Sequence, residues 1–180
     1  MYIEKIYRIS MFGHRNFDQH LLLDKYLTSF LRELITEKDF VEVYIGRNGE
    51  FDIYAASVFK RLQKAVGREN SEIICVLPYA YKDIDLFARY YDSVVIPECI
   101  SNAFPTSAIT KRNKWMVENA DLVICYVEKK YGGAYNALKY AERLGKRIIN
   151  LTEMKNDKLT SLGDFLDCKT KTDRDKLGLK

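Results

Sequence analysis

Residues 43–59 read VYIGRNGEFDIYAASVF, where an apolar run meets two glycines and continues into apolar residues spaced as on a helix. The pattern predicts a strand, a short turn and a helix in immediate succession. In α/β proteins such a junction binds phosphate, because glycine lets a ligand approach the backbone and the helix N-terminus is partly positive. A tight turn without any ligand would carry the same residues, so the stretch by itself leaves both interpretations open.

The same alternation of strand and helix extends over most of the chain. Residues 72–79, EIICVLPY, form a nearly continuous apolar run, which is typical of a strand buried on both faces. Strands that alternate with helices pair in parallel through crossovers, so we predict a helix–sheet–helix α/β sandwich with a mostly parallel central sheet. The predicted strands are 6–13, 40–46, 72–79, 93–97, 121–127 and 146–151, and the predicted helices are 18–37, 51–66, 83–90, 108–120 and 133–145.

Length and pattern indicate one domain followed by a short extension. A chain of 180 residues is long enough to bury a substantial core. Residues 1–151 carry the alternating pattern, and residues 98–107 within them are predicted to form a loop. The pattern fades over 152–180, for which we predict a short amphipathic helix around 159–166 and then a charged tail.

Composition favours an ordered cytoplasmic protein. Hydrophobic residues make up 47% of the chain and only 3 residues are proline, which excludes a low-complexity linker. The net charge of +4 is mild, and basic residues are interleaved with acidic ones rather than clustered in a nucleic-acid-binding stripe. Charges interrupt the start MYIEKIYRIS, so we expect no secretory signal, and no apolar run is long enough to cross a membrane.

Cysteine and glycine spacing exclude several kinds of site. The cysteines, Cys75, Cys99, Cys125 and Cys168, form no C-x-x-C pair, so we expect no metal site. Cys75 and Cys125 lie in apolar runs and are expected to be buried thiols. After the first strand the chain reads GHRNFD rather than G-x-G-x-x-G, and no P-loop motif occurs, so no cofactor is expected.

Glycines and polar residues follow three of the predicted strands. Ligands of open parallel sheets gather at the carboxyl ends of the strands, near the point where the strand order reverses. We therefore predict a binding rim made of three loops, which are Gly13-His14-Arg15, Gly46-Arg47-Asn48-Gly49 and Tyr131-Gly132-Gly133.

The Gly46–Gly49 loop carries residues suited to an anion. We expect Gly46 or Gly49 to adopt a positive φ, or their amides to face an open cavity. Arg47 adds a charge-assisted hydrogen-bond donor. Glu50 and Asp52, in the first turn of the next helix, oppose an anion because they compete for the same positive helix end. The same two carboxylates suit a purely structural turn.

Residues outside this loop have simpler interpretations. His14 is expected to be exposed or hydrogen-bonded rather than catalytic, whereas Arg15 at a strand end is a better anion ligand. Arg112 and Asn113 are predicted to lie on an exposed charged face of helix 108–120, while Trp115 and Met116 are predicted to be core.

With these elements in order, the chain resembles the SLOG superfamily, and within it the YpsA/YspA-like branch. The resemblance covers roughly residues 6–151 and rests on GHR, on GRNGEFDIYAA and on KRNKWMVENADLVICYVEKKYGGAYNALKYAERLGKRIINL. The superfamily includes the DNA-processing protein Smf/DprA and the LONELY GUY phosphoribohydrolases. The resemblance implies a Rossmann-like domain and a site for nucleotides, nucleotide sugars or derived signals, formed by Gly13, Arg15, Gly46, Gly49, Asp52, Arg112, Asn113, Gly132 and Gly133.

One position departs from the LONELY GUY enzymes. Their motif P-G-G-x-G-T-x-x-E ends in a glutamate that works with an upstream arginine to cleave the N-glycosidic bond. In that register this chain has Lys139, although Arg112 matches the arginine. An oxocarbenium-like transition state needs a nearby carboxylate, so the resemblance favours a binding protein over an enzyme.

Three functions follow from the sequence. The preferred one is a sensor or regulator that binds a small nucleotide-derived ligand. We expect no membrane partner, and the sequence does not decide whether the protein forms homo-oligomers. The alternative is an N-glycosidase or 2-deoxyribosyltransferase with Glu50 as catalytic carboxylate, assisted by Asp52 or Glu142. DNA binding of the Smf/DprA type is the third, and the mild charge counts against it because single-strand binding depends on phosphate neutralisation.

Overall fold

The structure is a computed structural model, and it describes residues 5–17, 21–100 and 103–154. Six strands and five α-helices alternate in these ranges, as the sequence pattern predicts. They are β1 (Ile6–Gly13), α1 (Leu21–Glu37), β2 (Phe40–Ile45), α2 (Glu50–Val66), β3 (Ser71–Val76), α3 (Ile84–Tyr90), β4 (Ser93–Val95), α4 (Pro105–Glu118), β5 (Leu122–Tyr126), α5 (Gly133–Arg143) and β6 (Arg147–Asn150). Short 3₁₀ turns cover Glu98–Ile100 and Leu151–Met154.

All six strands are parallel and form one sheet with the order β4-β3-β2-β1-β5-β6. From β1 the chain builds outward through β2, β3 and β4, and then returns to place β5 on the other side of β1. The strand order therefore reverses between β1 and β5, which makes this the topological switch point of the sheet. The predicted α/β fold with a parallel central sheet in a single domain is confirmed.

Alternate residues of the central strands pack into two separate layers. Ile9 and Met11 of β1 belong to a large cluster with Phe30 of α1 and Phe59 of α2. Phe12 of β1 points to the opposite layer, where alanines of α5 lie against β5. Alanine side chains are small, so α5 can pack closely against the sheet. The sheet is buried on both faces, as a parallel sheet requires.

Several element boundaries differ from the prediction. Helix α4 begins at Pro105 rather than at 108, because proline has no amide hydrogen to leave unpaired in a first turn. It thus takes part of the predicted loop 98–107. Strand β3 ends at Val76, earlier than the predicted 79, and the next amide, of Leu77, donates to the Val95 carbonyl at 2.8 Å. The extension is predicted over 152–180, and its part beyond residue 154, including the helix near 159–166, lies outside the described residues.

Two predictions about the interior and the membrane are answered by the described residues. Cys75 and Cys125 are both fully buried, as predicted. Burial raises the pKa of Cys75 to about 11. Over the ranges that the structure describes, no helix combines the length and the apolar character needed to span a membrane.

Candidate ligand-binding site at the carboxyl edge of the sheet

A cavity of about 390 Å³ opens at the carboxyl edge of the sheet, above the switch point. Loops after β1, β2 and β5 and one face of α4 form its walls. Among the residues predicted from sequence, the cavity is lined by Gly13, His14, Arg15, Gly46, Asn48, Gly49, Asp52, Arg112, Asn113, Gly132 and Gly133. The expectation that the three loops share one edge is therefore met in the structure.

Arg112 is the most deeply buried charge of the cavity wall. Its side chain reaches from α4 toward the sheet and is only 2% exposed. Nη1 donates to the Val76 carbonyl at 3.0 Å and Nη2 donates to Asn48 Oδ1 at 3.1 Å, while the buried Nε has no hydrogen-bond partner. The prediction that Arg112 lies on an exposed helix face is wrong, because α4 turns this side toward the sheet edge.

Gly46 is what allows the guanidinium to lie there. A Cβ atom at this position would be 1.9 Å from Nη1 of Arg112, far closer than any non-bonded contact permits. Gly46 has no positive φ, and Gly49 is extended with φ −156°, so the first predicted alternative, a positive φ at one of these glycines, is wrong. At Gly49 a Cβ would meet Cα of Arg15 at 2.9 Å. Both glycines line the cavity and serve close packing between elements.

At the start of α2, two backbone amides donate within the protein itself. The Glu50 amide donates to the Arg15 carbonyl at 2.9 Å, and the Asn48 amide donates to Asp52 Oδ2 at 3.0 Å. The Glu50 side chain accepts a hydrogen bond from the Phe17 amide at 2.9 Å. Glu50 thus braces the loop after β1 against α2, and it is not part of the cavity wall.

Arg47 also turns away from the cavity. Its guanidinium carbon lies 4.5 Å from the centre of the Phe87 ring, a cation–π contact with α3. Arg47 and Glu50 are the two predicted site residues that the cavity wall does not include. Both are next to residues that line it, so neighbouring positions in one loop face different partners.

Asp52 is a buried carboxyl group at the cavity. Burial raises the pKa of Asp52 to about 6, although the Arg112 charge and the Asn48 amide both act to lower it. Among the described residues, a hydrogen bond reaches Oδ2 alone, so Oδ1 is available there as an acceptor. Asp52 and Arg112 both line the cavity, yet no hydrogen bond or ion pair in the described structure joins them.

The N-terminus of α5 has the opposite character. It begins after Gly132, whose φ of 91° and ψ of 177° belong to a region used almost only by glycine. No side chain caps this end and no acidic residue lies in its first turn. The first amides of a helix have no partner within the helix, so this end presents donors and a partial positive charge at the cavity.

His14 joins the two loops at the switch point. Its Nε2 accepts hydrogen bonds from the amides of Glu128 at 3.0 Å and Lys129 at 2.8 Å. An acceptor Nε2 requires the neutral ring with the proton on Nδ1. Burial and the Lys129 charge lower the pKa of His14, which keeps the ring neutral. The expectation of a hydrogen-bonded loop histidine fits this geometry.

Sequence reasoning did not single out several residues of the cavity wall. Lys129 and Asn16 each follow a strand by a few residues, which places them on the same rim. Ile109 and Met116 lie at helical spacing from Arg112, so the three share one face of α4. An arginine between two apolar residues on one helix face was the available signal that this face is buried. Within the described ranges, no three His, Cys, Asp or Glu side chains are grouped closely enough for a metal ion.

Comparison with known proteins shows that the fold is similar to that of a solved structure. No protein-family model matches the chain, and no curated protein matches it in sequence. The structure is similar to DNA processing protein A from Helicobacter pylori, a protein studied for its mode of single-stranded DNA binding. The TM-score is 0.53 with 14% sequence identity, over 92% of this chain and 81% of that one. At this identity the likeness concerns the Rossmann-like α/β fold alone.

Proposed function

We propose that the protein binds a small nucleotide-derived ligand in the carboxyl-edge cavity and acts as a ligand-responsive regulator. The observation that carries the proposal is the contrast between the two helix N-termini at the cavity. Helix α2 carries Glu50 and Asp52 in its first turn, and its Glu50 amide is bonded to the Arg15 carbonyl. Helix α5 has no acidic residue in its first turn and no side-chain cap from the described residues. A cavity with an uncapped helix end on one wall and a carboxyl group near an arginine on another suits a ligand with a phosphate and neutral hydroxyl groups.

The phosphate belongs at the N-terminus of α5. Gly132 and Gly133 leave its amides accessible, and a helix N-terminus carries about half a positive charge. Arg15 and Lys129 line the same cavity and add two cations. The anion site proposed here therefore lies on the late loop of the predicted rim rather than on Gly46–Gly49.

The sugar belongs beside Asp52 and Arg112. Within the described part of the chain, Asp52 Oδ1 accepts no hydrogen bond and the buried Arg112 Nε donates none, so both can bond to a hydroxyl group. A micromolar dissociation constant corresponds to about 8 kcal/mol, and charge-assisted hydrogen bonds contribute about 1.5–3 kcal/mol each. A few such contacts reach that affinity. The resemblance to the SLOG superfamily supports the same class of ligand, since the residues that it implies line this cavity.

The decisive experiment uses two adjacent lysines. Lys129 lines the cavity, whereas Lys130 does not, and both are exposed. Calorimetric titration with nucleoside 5′-monophosphates should show binding that Lys129→Ala weakens by about tenfold and Lys130→Ala leaves unchanged. Equal effects of the two variants would make the attraction a general surface effect. Absence of binding to any nucleotide in a panel of bases would contradict the proposal.

A second candidate is cleavage of an N-glycosidic bond at the same site. A carboxyl group with a pKa near 6 and a free oxygen in a cavity has the properties of a general acid or base. The structure favours Asp52 over Glu50 for this role, because Glu50 is bonded to the Phe17 amide and Glu142 pairs with Lys139. Chromatography of nucleotide mixtures tests it. If wild type and Glu50→Gln release free base but Asp52→Asn does not, the protein is an N-glycosidase that uses Asp52. If none of the three releases base, N-glycosidase activity toward those nucleotides is excluded.

The likeness to DNA processing protein A supports single-stranded DNA as a third ligand class. Binding to single-stranded DNA loses affinity steeply as the salt concentration rises, because it releases counterions from many phosphates. Titration of a labelled thymidine oligonucleotide at two salt concentrations separates it from the first candidate. A single nucleotide that binds as tightly as the oligonucleotide would favour the small ligand.

A further inference from the structure

Tyr131 presents an aromatic ring at the mouth of the cavity. Its side chain is 68% exposed although the residue lines the cavity. Within the part of the chain that the structure describes, it makes no hydrogen bond, ion pair or ring contact. The ring thus has a free face beside the N-terminus of α5, where the preceding proposal places a phosphate.

Other exposed aromatic residues of the described chain differ from Tyr131. Tyr79 is 40% exposed and packs against Tyr81 with 4.9 Å between ring centres. Tyr90 is 42% exposed and packs edge-on against Tyr91 at 5.0 Å. Phe104 is 81% exposed but is not part of the cavity wall. Among the exposed large apolar side chains in the described ranges, Tyr131 alone borders the cavity.

We propose that Tyr131 is the platform on which the planar base of the ligand stacks. The inference rests on the proposed function and deepens it, since it makes the ligand a nucleotide rather than a sugar phosphate. A tyrosine suits this role because its ring is rigid and tolerates any base, as every base has a π-face. Its position fits as well. Tyr131 directly precedes Gly132, so a ligand whose phosphate lies at α5 has its remaining groups close to this ring.

The mild charge of the cavity mouth favours one nucleotide over a strand. Lys129 and Lys130 precede Tyr131, but Glu128 precedes both, so one carboxylate offsets one of the two lysines in this loop. A single-stranded nucleic acid would need a series of stacking rings along a basic groove. The described cavity wall supplies one exposed ring above a space of about 390 Å³, which suits a single nucleotide.

The test compares two probes that share a phosphate and a ribose. Adenosine 5′-monophosphate and ribose 5-phosphate are titrated by calorimetry into wild type, Tyr131→Phe, Tyr131→Ala and the control Tyr90→Ala. Stacking on an aromatic side chain predicts that Tyr131→Ala weakens the nucleotide by about five- to a hundredfold and leaves ribose 5-phosphate unchanged. Tyr131→Phe and Tyr90→Ala should bind both probes like wild type. Because Tyr131 is exposed, all four proteins are expected to fold, and circular dichroism checks this.

Four results would overturn the inference. If Tyr131→Ala weakens the binding of both probes equally, Tyr131 maintains the conformation of the loop and does not stack on the base. No effect of Tyr131→Ala on a nucleotide that Lys129→Ala weakens would leave the proposed function standing without a stacking role for Tyr131. Loss of oligonucleotide binding in Tyr131→Ala with unchanged nucleotide binding would assign the ring to a strand-binding surface. If neither probe binds wild type, the proposed function fails and the inference falls with it.

Discussion

At Gly46 a hydrogen atom occupies the place where any side chain would collide with Arg112. The collision concerns the guanidinium itself, because the added Cβ would be 1.9 Å from Nη1. Arg112 in turn donates to the carbonyl of Val76, the last residue of β3, and to the Asn48 side chain. One glycine therefore determines whether a buried charge can reach the cavity wall.

Gly46→Ala should lower the free energy of unfolding by at least about 2 kcal/mol, because the displaced guanidinium loses charge-assisted hydrogen bonds. In an Arg112→Met background the same change should cost clearly less, since the colliding group is gone. Urea unfolding of wild type, both single variants and the double variant gives this coupling directly. Additive losses would mean that Gly46 is required for a reason other than Arg112.

Asp52 makes stability depend on pH in a direction opposite to most carboxylates. Its pKa is raised to about 6 in the folded protein from 3.8, so the folded state binds more protons between these values. Its stabilising contribution is therefore present below about pH 4 and is lost as pH rises through about 6, by about 2–3 kcal/mol. Burial dominates the shift, and the nearby Arg112 charge acts against it.

Comparison of wild type with Asp52→Asn isolates this effect. The difference in unfolding free energy, wild type minus variant, should fall as pH rises from about 4 to 6 and then stay level. His14, whose pKa is lowered, has the opposite dependence, but it is present in both proteins and cancels in the difference. A difference that rises with pH would show that Asp52 is ionised and stabilised by Arg112 instead.

At the scale of elements, helices α2 and α5 both begin next to glycines that line the cavity, but the groups at their N-termini differ. Helix α2 carries Glu50 and Asp52 in its first turn, and its preceding amides are held within the protein. Helix α5 has no acidic residue there and starts from a glycine with positive φ. The difference arises from sequence within a single turn and decides which helix end is available to an anion.

Gly132→Ala tests the backbone that begins α5. Apart from the adjacent residues, no heavy atom of the described chain lies within 4 Å of the added Cβ, so any cost comes from a backbone conformation that alanine rarely adopts. We expect a loss of about 1–3 kcal/mol in the free energy of unfolding. The matched control is Gly133→Ala, whose Cβ would meet Asn113 Nδ2 at an ordinary 3.8 Å. Equal stabilities of the two variants in urea unfolding would show that the start of α5 is relaxed in the variant.

For the whole molecule, the order of the strands creates the cavity. Because β1 is flanked by β2 and β5, its carboxyl end lies between loops that leave the sheet in opposite directions. The same position makes β1 a central strand, with Ile9 and Met11 fully buried. The site therefore rests on the buried centre of the sheet, and this holds its loops in place.

Native-state hydrogen exchange should reflect this order of burial. The amide of Met11 in β1 should exchange only through global unfolding, typically about 5–15 kcal/mol for a single domain. Amides of β4 should exchange faster, because Ser93, Val94 and Val95 are half-buried and β4 is an edge strand. Mass spectrometry of deuterated peptides measures both. Equal protection of β4 and β1 would indicate that another element covers this edge.

The alternation of strands and helices, the parallel sheet and the shared edge of the three glycine loops were all readable from the chain. These features depend on patterns within about ten residues, such as apolar periodicity and a glycine at a strand end. Helix boundaries shifted by a few residues for similarly local reasons, as at Pro105. The fold class needs no knowledge of which distant residues meet.

The partners of single side chains were decided only when the chain folded. Arg112 looked like an exposed charge until α4 packed against the sheet, and Glu50 looked like a cavity carboxylate although it bonds to the Phe17 amide. Asp52, two positions later on the same helix, lines the cavity instead. Contacts between residues far apart in sequence determine which face of a helix packs inward. A local sequence pattern does not specify those contacts.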